Sequence, residues 1–500
     1  MKEPRRQQQG RAALRLPAAA ALAAASAAAG AGMAATGSGE RRQGTPPPAP
    51  PTRPNIVFIL ADDLGWTDLG CQGSRYYQSP NIDRLAAEGM RWTNFCQYPN
   101  CVPSRAAMLS GQYAPRTGVY TVGSLERGRA EDRKMSVPVN ETVLPLDRET
   151  VADALKRAGY ATAMFGKWHL GNGPAYHPSR RGFDVAHATG GAAPHFTFQY
   201  RPPVTTAKPG AYLADVNTDL AVDFIEKHTG RNRDQPFFLY VPYNAVHSPH
   251  QAKPETIARF RGKPPVGGHK DPTYAAMIAS LDEGVGRILS TLDRLKLREN
   301  TVVVFASDNG GVGGYGEIGG RGITDNAPLR GGKGMLYEGG LRVPFVVRWP
   351  GVIPPGTVSD RAAAHIDLFP TFLEVAGVTA ARPKQVLDGL SLVPALRDPK
   401  AKLAREALYF HFPGYLEGHG TRQWRTVPVG AIRAGDWKLM EFYEDGRLEL
   451  YNLKDDPGEK KNLAAAQPER AKALRAKLDA WRKATNAAMP TPKSAKGSAP

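Results

Sequence analysis

Asn55-Ile56-Val57-Phe58-Ile59-Leu60 is, past its first residue, an unbroken apolar run that continues through Ala61 and ends on Asp62-Asp63. Six apolar residues without alternation predict a strand covered on both faces, as in a parallel sheet with helices packed on each side. The same pattern recurs down the chain. A helix predicted over about Asn81 to Glu88 stops at Gly89, and another over about Thr150 to Ala158 stops at Gly159. The strand Ala161 to Phe165 then leads into Gly166-Lys167-Trp168-His169. A helix over about Val216 to His228 precedes the strand Phe237 to Val241, which delivers Asn244-Ala245-Val246-His247-Ser248-Pro249-His250. A long helix from Pro272 to about Leu295 leads to Thr301-Val302-Val303-Val304-Phe305-Ala306 and then to Ser307-Asp308-Asn309-Gly310. A glycine-rich loop reaches Arg330-Gly331-Gly332-Lys333-Gly334, and a strand over Val343 to Trp349 and a helix over Asp367 to Ala376 follow.

Strands alternating with helices predict an α/β fold with a large, mostly parallel sheet flanked by helices. The polar clusters fall just beyond the carboxyl ends of several strands, where such sheets place their sites. Past about residue 400 the pattern changes. Short runs at about 428–433, 436–442 and 447–451 predict an antiparallel meander, closed by an amphipathic helix over Pro468 to Lys483. The expected organisation is a leader at 1–35, a linker at 36–54, a catalytic domain at 55–400, a smaller C-terminal subdomain at 401–485 and a polar tail at 486–500. The stretch from Leu170 to about Gly210 is long for a connection. Segments 171–211, 250–270 and 413–427 are expected to shape a pocket.

Five hundred residues with 41% hydrophobic content can bury a large core. The net charge of +18 gathers at the ends: residues 1–53 contribute +6 and residues 459–500 contribute +7. The body is only mildly basic and has no basic stripe interleaved with aromatics, so no nucleic-acid partner is expected. Three cysteines, Cys71, Cys96 and Cys101, are too few for a disulfide scaffold or a four-cysteine zinc site. Either Cys71 and Cys96 pair and leave Cys101 odd, or all three stay reduced. A basic start, an alanine-rich apolar stretch from Leu16 to about Ala35 and small residues suited to cleavage read as a secretory leader, so the protein is expected to be secreted or periplasmic. Pro17, Gly30 and Gly32 make that stretch a poor stable membrane span.

The chemistry gathers around Cys101-Val102-Pro103-Ser104-Arg105. Pro103 suits the first helical position, which would put Cys101 at a helix N-terminus where free N–H groups favour an anion. Asp62, Asp63, Asp308 and Asn309 stand at two strand ends and offer hard oxygen ligands suited to Ca2+ or Mg2+ rather than zinc. Three carboxylates and a bound monoanion carry −4 in all, while a divalent cation with Arg105, Lys167 and Lys333 carries +5. Such charges are tolerable in a buried site only together. His169 and His247 could shift that balance by protonation.

Cys101-Val102-Pro103-Ser104-Arg105 resembles the core signature of type I sulfatases, and Gly159-Tyr160-Ala161-Thr162-Ala163-Met164-Phe165-Gly166-Lys167-Trp168-His169 resembles their second signature. The motif order from Asn55 to about Leu453 is similar throughout. The resemblance implies an alkaline-phosphatase-like fold and hydrolysis of sulfate esters, with sulfated carbohydrate as the substrate class. It implies that a maturation system oxidises Cys101 to Cα-formylglycine, and that Asp62, Asp63, Asp308 and Asn309 bind Ca2+, or Mg2+ in its place, together with the matured Cys101 side chain. It implies that Arg105 and Lys167 hold the aldehyde hydrate, that His169 is its base, and that His247 and Lys333 contact the sulfate and the leaving oxygen. Asn100 and Val102 depart from the stricter signature, which prefers an aliphatic or hydroxyl residue and a small residue. A phosphate or phosphonate monoester hydrolase of the same superfamily, and a catalytically silent sulfated-glycan-binding protein, are the competing readings.

Overall fold

The first strand, β1 (Asn55–Ala61), is buried at all seven positions. Its alternate residues enter two different cores. Ile56, Phe58 and Leu60 pack on one side of the sheet, and Val57, Ile59 and Ala61 on the other. Continuous apolar sequence is therefore a direct product of two-sided cover. The structure is a computed structural model that describes residues 53–493 apart from 317–321, 379–382 and 419–422. The predicted leader, nearly all of the linker and the last seven residues of the tail lie outside the described residues.

After β1 the main layer comprises α1 (Pro80–Ala87), β2 (Met90–Trp92), α2 (Cys101–Ser110), α3 (Val151–Arg157), β3 (Ala161–Lys167), β4 (Val185–Thr189), α4 (Leu213–Asn232), β5 (Phe237–Pro242), α5 (Pro272–Arg294), β6 (Thr301–Ser307), β7 (Phe345–Arg348), β8 (Thr357–Ser359) and α6 (Leu368–Val375). Eight strands form one sheet in the order β8-β2-β7-β6-β1-β5-β3-β4. β1 runs parallel to both neighbours, with Leu60 beside Pro242 and Ala61 beside Ser307. That register sets Asp62 and Asp308 side by side, each one residue past its strand. Apolar side chains of α2, α3 and α6 fill one core, and those of α1, α4 and α5 fill the other.

The C-terminal sheet has four antiparallel strands, β9 (Leu408–Phe412), β10 (Val429–Ala434), β11 (Trp437–Phe442) and β12 (Leu448–Asn452), in chain order. α7 (Pro468–Ala484) packs on it through Leu474, Leu478 and Trp481. Lys438 of β11 is fully buried between Glu338 (3.1 Å) and Glu459 (2.8 Å), and Arg433 and Arg342 also reach Glu338. This ion cluster ties the C-terminal sheet to the segment just after Lys333.

Several expectations need correction. β4 lies inside the stretch from Leu170 to Gly210 that reads as irregular, because its five residues Val-Ala-His-Ala-Thr give no apolar run. β2 and β8 are three-residue strands, too short to leave a pattern. β7 is shorter than expected and antiparallel to both β6 and β2. The C-terminal meander gains β9. Cys101 is itself the first residue of α2 and Pro103 the third, still within the first turn, where a missing N–H costs nothing. Thr491–Pro492, in the stretch read as tail, pairs with Met135–Ser136. All three cysteines are free thiols. Among the described residues no helix is long and apolar enough to cross a membrane.

Candidate active site

At the carboxyl end of β1 the chain turns sharply. Asp63 adopts a left-handed backbone (φ 62°), and its N–H donates to Asp308 Oδ1 at 3.2 Å. Ser307 braces the turn from the adjacent strand, accepting from Leu64 N–H at 3.0 Å and donating to the Asn309 carbonyl at 3.0 Å. β1 and β6 thereby present Asp62, Asp63, Asp308 and Asn309 as one acidic floor.

Positive charge surrounds this floor. Arg105, fully buried on α2, donates through Nε to Asp308 Oδ2 at 2.9 Å and through Nη1 to the Lys167 carbonyl at 2.8 Å. Lys167, the last residue of β3, is ion-paired with Asp62. Lys333 Nζ lies 2.7 Å from each Asp63 oxygen. Cys101 Sγ donates to Asp62 at 3.4 Å and approaches Asp63 at 3.8 Å. His247 Nε2 stands 3.8 Å from Asp63 Oδ2. His247 Nδ1 lies 2.6 Å from the Ser248 carbonyl oxygen, which can only accept, so Nδ1 carries the proton and Nε2 is free to accept.

The electrostatics follow from burial and these partners. Burial alone would raise the Asp63 pKa, but Lys333, His247 and Lys167 outweigh it and hold the carboxyl below the usual range. Asp308 moves the other way: burial and the adjacent Asp62 raise it to about 6 despite Arg105. Burial would lower Lys333, yet Asp63, Cys101 and Asp62 keep it an ammonium well above its ordinary range. Burial pushes His247 down to about 3. Burial, then Lys167 and Arg105, also hold His169 well below its usual value. His169 adopts a left-handed backbone (φ 60°), and its buried Nδ1 has no partner. Its ring packs so closely on Gly191 that a Cβ there would lie 2.4 Å from Nε2.

Carboxylates and an amide oxygen, the donors a divalent cation takes, gather here beside a thiol and an imidazole. Ligand atoms of Asp62, Asp63, Cys101 and His247 all lie within 4.8 Å of one another. Asn309 Nδ2 donates to Asp63 at 2.8 Å while its buried Oδ1 has no partner, an acceptor left over beside three carboxylates. Both oxygens of Asp308 are already engaged, by Arg105 and by the Asp63 N–H.

The ten residues singled out in the sequence thus converge. A cavity of about 390 Å3 opens above them, and Asp63, Cys101, His169, His247 and Lys333 face into it. Its walls come from each expected segment: Gly191 and Ala192, His250, and Leu416 with Arg425. Asn100, just before α2, also lines it, as do Val122 and Arg127 beyond α2, which were not singled out. Their position depends on how the loop after α2 folds back, which no local pattern encodes.

The sulfatase family model matches residues 54–378, and the model for the C-terminal region of N-sulphoglucosamine sulphohydrolase matches residues 332–484. A sulfatase of Formosa agariphila is 35% identical, over 86% of this chain and 88% of its own length. The N-acetylgalactosamine-6-sulfatase of Homo sapiens is 31% identical, over 85% of this chain and 84% of its own. Among solved structures, Ps i-CgsB in complex with k-i-k-neocarrahexaose superposes with a TM-score of 0.71 at 29% identity, covering 86% of this chain and 92% of that one.

Proposed function

Because the chain belongs to the sulfatase family and hydrolyses sulfate esters, we propose that its substrate is a sulfated carbohydrate and that Cys101, oxidised after synthesis to Cα-formylglycine, supplies the nucleophile. The observation that carries this reading is the state of Cys101: a buried thiol, donating to Asp62, at the focus of Arg105, Lys167 and Lys333. As a thiol it is inert. Burial, then Asp308 and Asp62, push its pKa well above the ordinary value, so almost no thiolate is available to attack. An aldehyde hydrate at this position has one hydroxyl to attack sulfur and another whose deprotonation expels sulfate and restores the aldehyde. Relatives named for a sugar sulfate, and a structural neighbour holding a neocarrahexaose, support carbohydrate as the substrate class.

Ca2+, or Mg2+ in its place, held by Asp62, Asp63, Asp308 and Asn309 with the matured residue 101, would supply Lewis-acid charge to the sulfate oxygens. The chain's own residues do the rest. Arg105 and Lys167 are locked by Asp308 and Asp62, so their charges need no reorganisation when negative charge builds on the sulfate. His169 is neutral at neutral pH with an unpartnered ring nitrogen, which suits it to accept the proton from the hydrate. Lys333 remains charged and faces the cavity, which suits it to the leaving oxygen. His247 has its acceptor nitrogen toward Asp63, which favours a sulfate-side or metal-side role over proton donation.

The leader read in the sequence supports export, with cleavage near residue 36; N-terminal sequencing of protein recovered from medium or periplasm tests it. The decisive experiment for the substrate is a screen of position-specific sulfated sugars with purified enzyme whose maturation at Cys101 has been verified. Release of sulfate from aryl sulfates but from none of the sugars would overturn the carbohydrate reading.

A further inference from the structure

Two guanidinium groups in the cavity above Cys101 take no part in the reaction just described. Arg127 follows α2, and Arg425 precedes β10 by four residues, so the fold brings together cations some 300 residues apart in the chain. Among the described residues Arg127 donates only to main-chain carbonyls, those of Val122 and of Ser124 (3.3 Å). Arg425 reaches the Lys333 carbonyl at 3.5 Å and lays its guanidinium over the Tyr315 ring at 4.5 Å from the centroid. Its Nε is buried without a partner. Neither arginine has a carboxylate within ion-pairing distance among the described residues. Burial and then the charge of Arg425 lower the pKa of Arg127, and Glu417, which opposes this, is exposed. Two partly buried like charges that share one cavity with no carboxylate ion-paired to either among the described residues are costly, and a bound anion removes that cost.

We infer that Arg127 and Arg425 form a second anion subsite beside the scissile sulfate, so the substrate is a sulfated sugar bearing a further anionic group. The inference rests on Cys101 being the reacting centre. A sulfate ester and a carboxylate share the planar-fork recognition that arginine provides, so either could occupy the subsite. Tyr315 holds the Arg425 plane in place, which lowers the entropy lost on binding.

The test compares kcat/KM on 4-nitrophenyl sulfate, a neutral monosulfated sugar, a disulfated sugar and a monosulfated disaccharide containing a uronic acid. The unmutated enzyme should favour the doubly anionic sugars. Arg127→Gln and Arg425→Gln should each lose about 10- to 100-fold on these, mainly in KM, with a much smaller loss on the singly charged substrates. Arg425→Lys should recover part of the loss. Preference for the disulfated sugar alone, or for the uronate alone, identifies the anion. Equal losses on all four substrates would reduce both arginines to braces of the Lys333 loop and overturn the inference. Calorimetric binding of the same sugars to Cys101→Ala reads the subsite without turnover. There, no preference for the doubly anionic sugars sinks the subsite, while failure of turnover alone counts against the reaction scheme.

Discussion

Replacing Lys333 by alanine tests how the leaving group is handled. In the structure His247 is a neutral imidazole whose acceptor nitrogen faces Asp63, whereas Lys333 is a fixed ammonium at the cavity floor. A unit charge about 4 Å from a developing alkoxide, at an effective dielectric near 20, is worth about 4 kcal/mol. Asp63, 2.7 Å from Lys333 Nζ through both oxygens, cancels part of that charge. The remainder should resemble the loss of one oxyanion donor, about 2.7–4 kcal/mol, or roughly 10²–10³ in rate. A sugar alkoxide needs this help and a nitrophenolate leaves almost unaided, so Lys333→Ala should cost about 10²–10³ in kcat/KM on a sulfated sugar and far less on 4-nitrophenyl sulfate. The assay is a series of sulfate esters with graded leaving-group pKa, and the variant should show the steeper dependence. Parallel lines for the two enzymes would refute the assignment. His247→Ala should give nearly parallel lines, and thermal unfolding of both variants controls for Asp63 having lost a partner.

Peptide mass spectrometry of active enzyme from a host with a maturation system should show formylglycine at position 101; unmodified thiol in fully active protein would falsify that role, and Cys101→Ala should fold but not turn over. Exhaustive chelation should abolish activity, with Ca2+ or Mg2+ restoring it; full activity in protein shown by elemental analysis to be metal-free rejects the cation. Asp308→Ala should lose metal and also destabilise the fold by about 3–5 kcal/mol, because the fully buried Arg105 loses its main carboxylate, so a normal melting temperature would contradict the pairing. With its folded-state pKa raised to about 6, Asp308 below that pH holds a proton that the metal must displace. Apparent metal affinity should therefore rise with pH from about 4 to 6 and level off above; a flat profile in calorimetry across that window rejects the shift.

The four oxygen donors proposed to hold the metal were legible because strand and donor are adjacent in sequence: an apolar run followed at once by Asp62-Asp63, and another followed by Ser307-Asp308-Asn309. The in-register pairing of β1 with β6 then brings the two ends together, and two runs of equal length already suggest it. Cys101, Arg105, Lys167 and His169 were legible through local motifs. The Arg105 pairing with Asp308 spans 203 residues and has no local trace. Arg127 sits in a loop, and Arg425 in the three-residue strand Trp424–Thr426 paired with Leu416–Glu417, so the positions of both depend on the tertiary fold. β2 and β8 escaped notice because three residues cannot show a period, and β4 because a short strand near a sheet edge needs little hydrophobicity.

Cys101 is only 1% exposed, and the cavity wall above it is finished by Leu416 and Arg425, more than three hundred residues later in the chain. Once that wall has closed the thiol is reached only through the cavity, so the maturation proposed for Cys101 would have to come before it. At about 5–20 residues per second a ribosome needs roughly 15–65 s to travel from Cys101 to Arg425. The late arrival of the C-terminal segment thus acts as a clock, leaving residue 101 open to chemistry for most of the time the protein takes to be made.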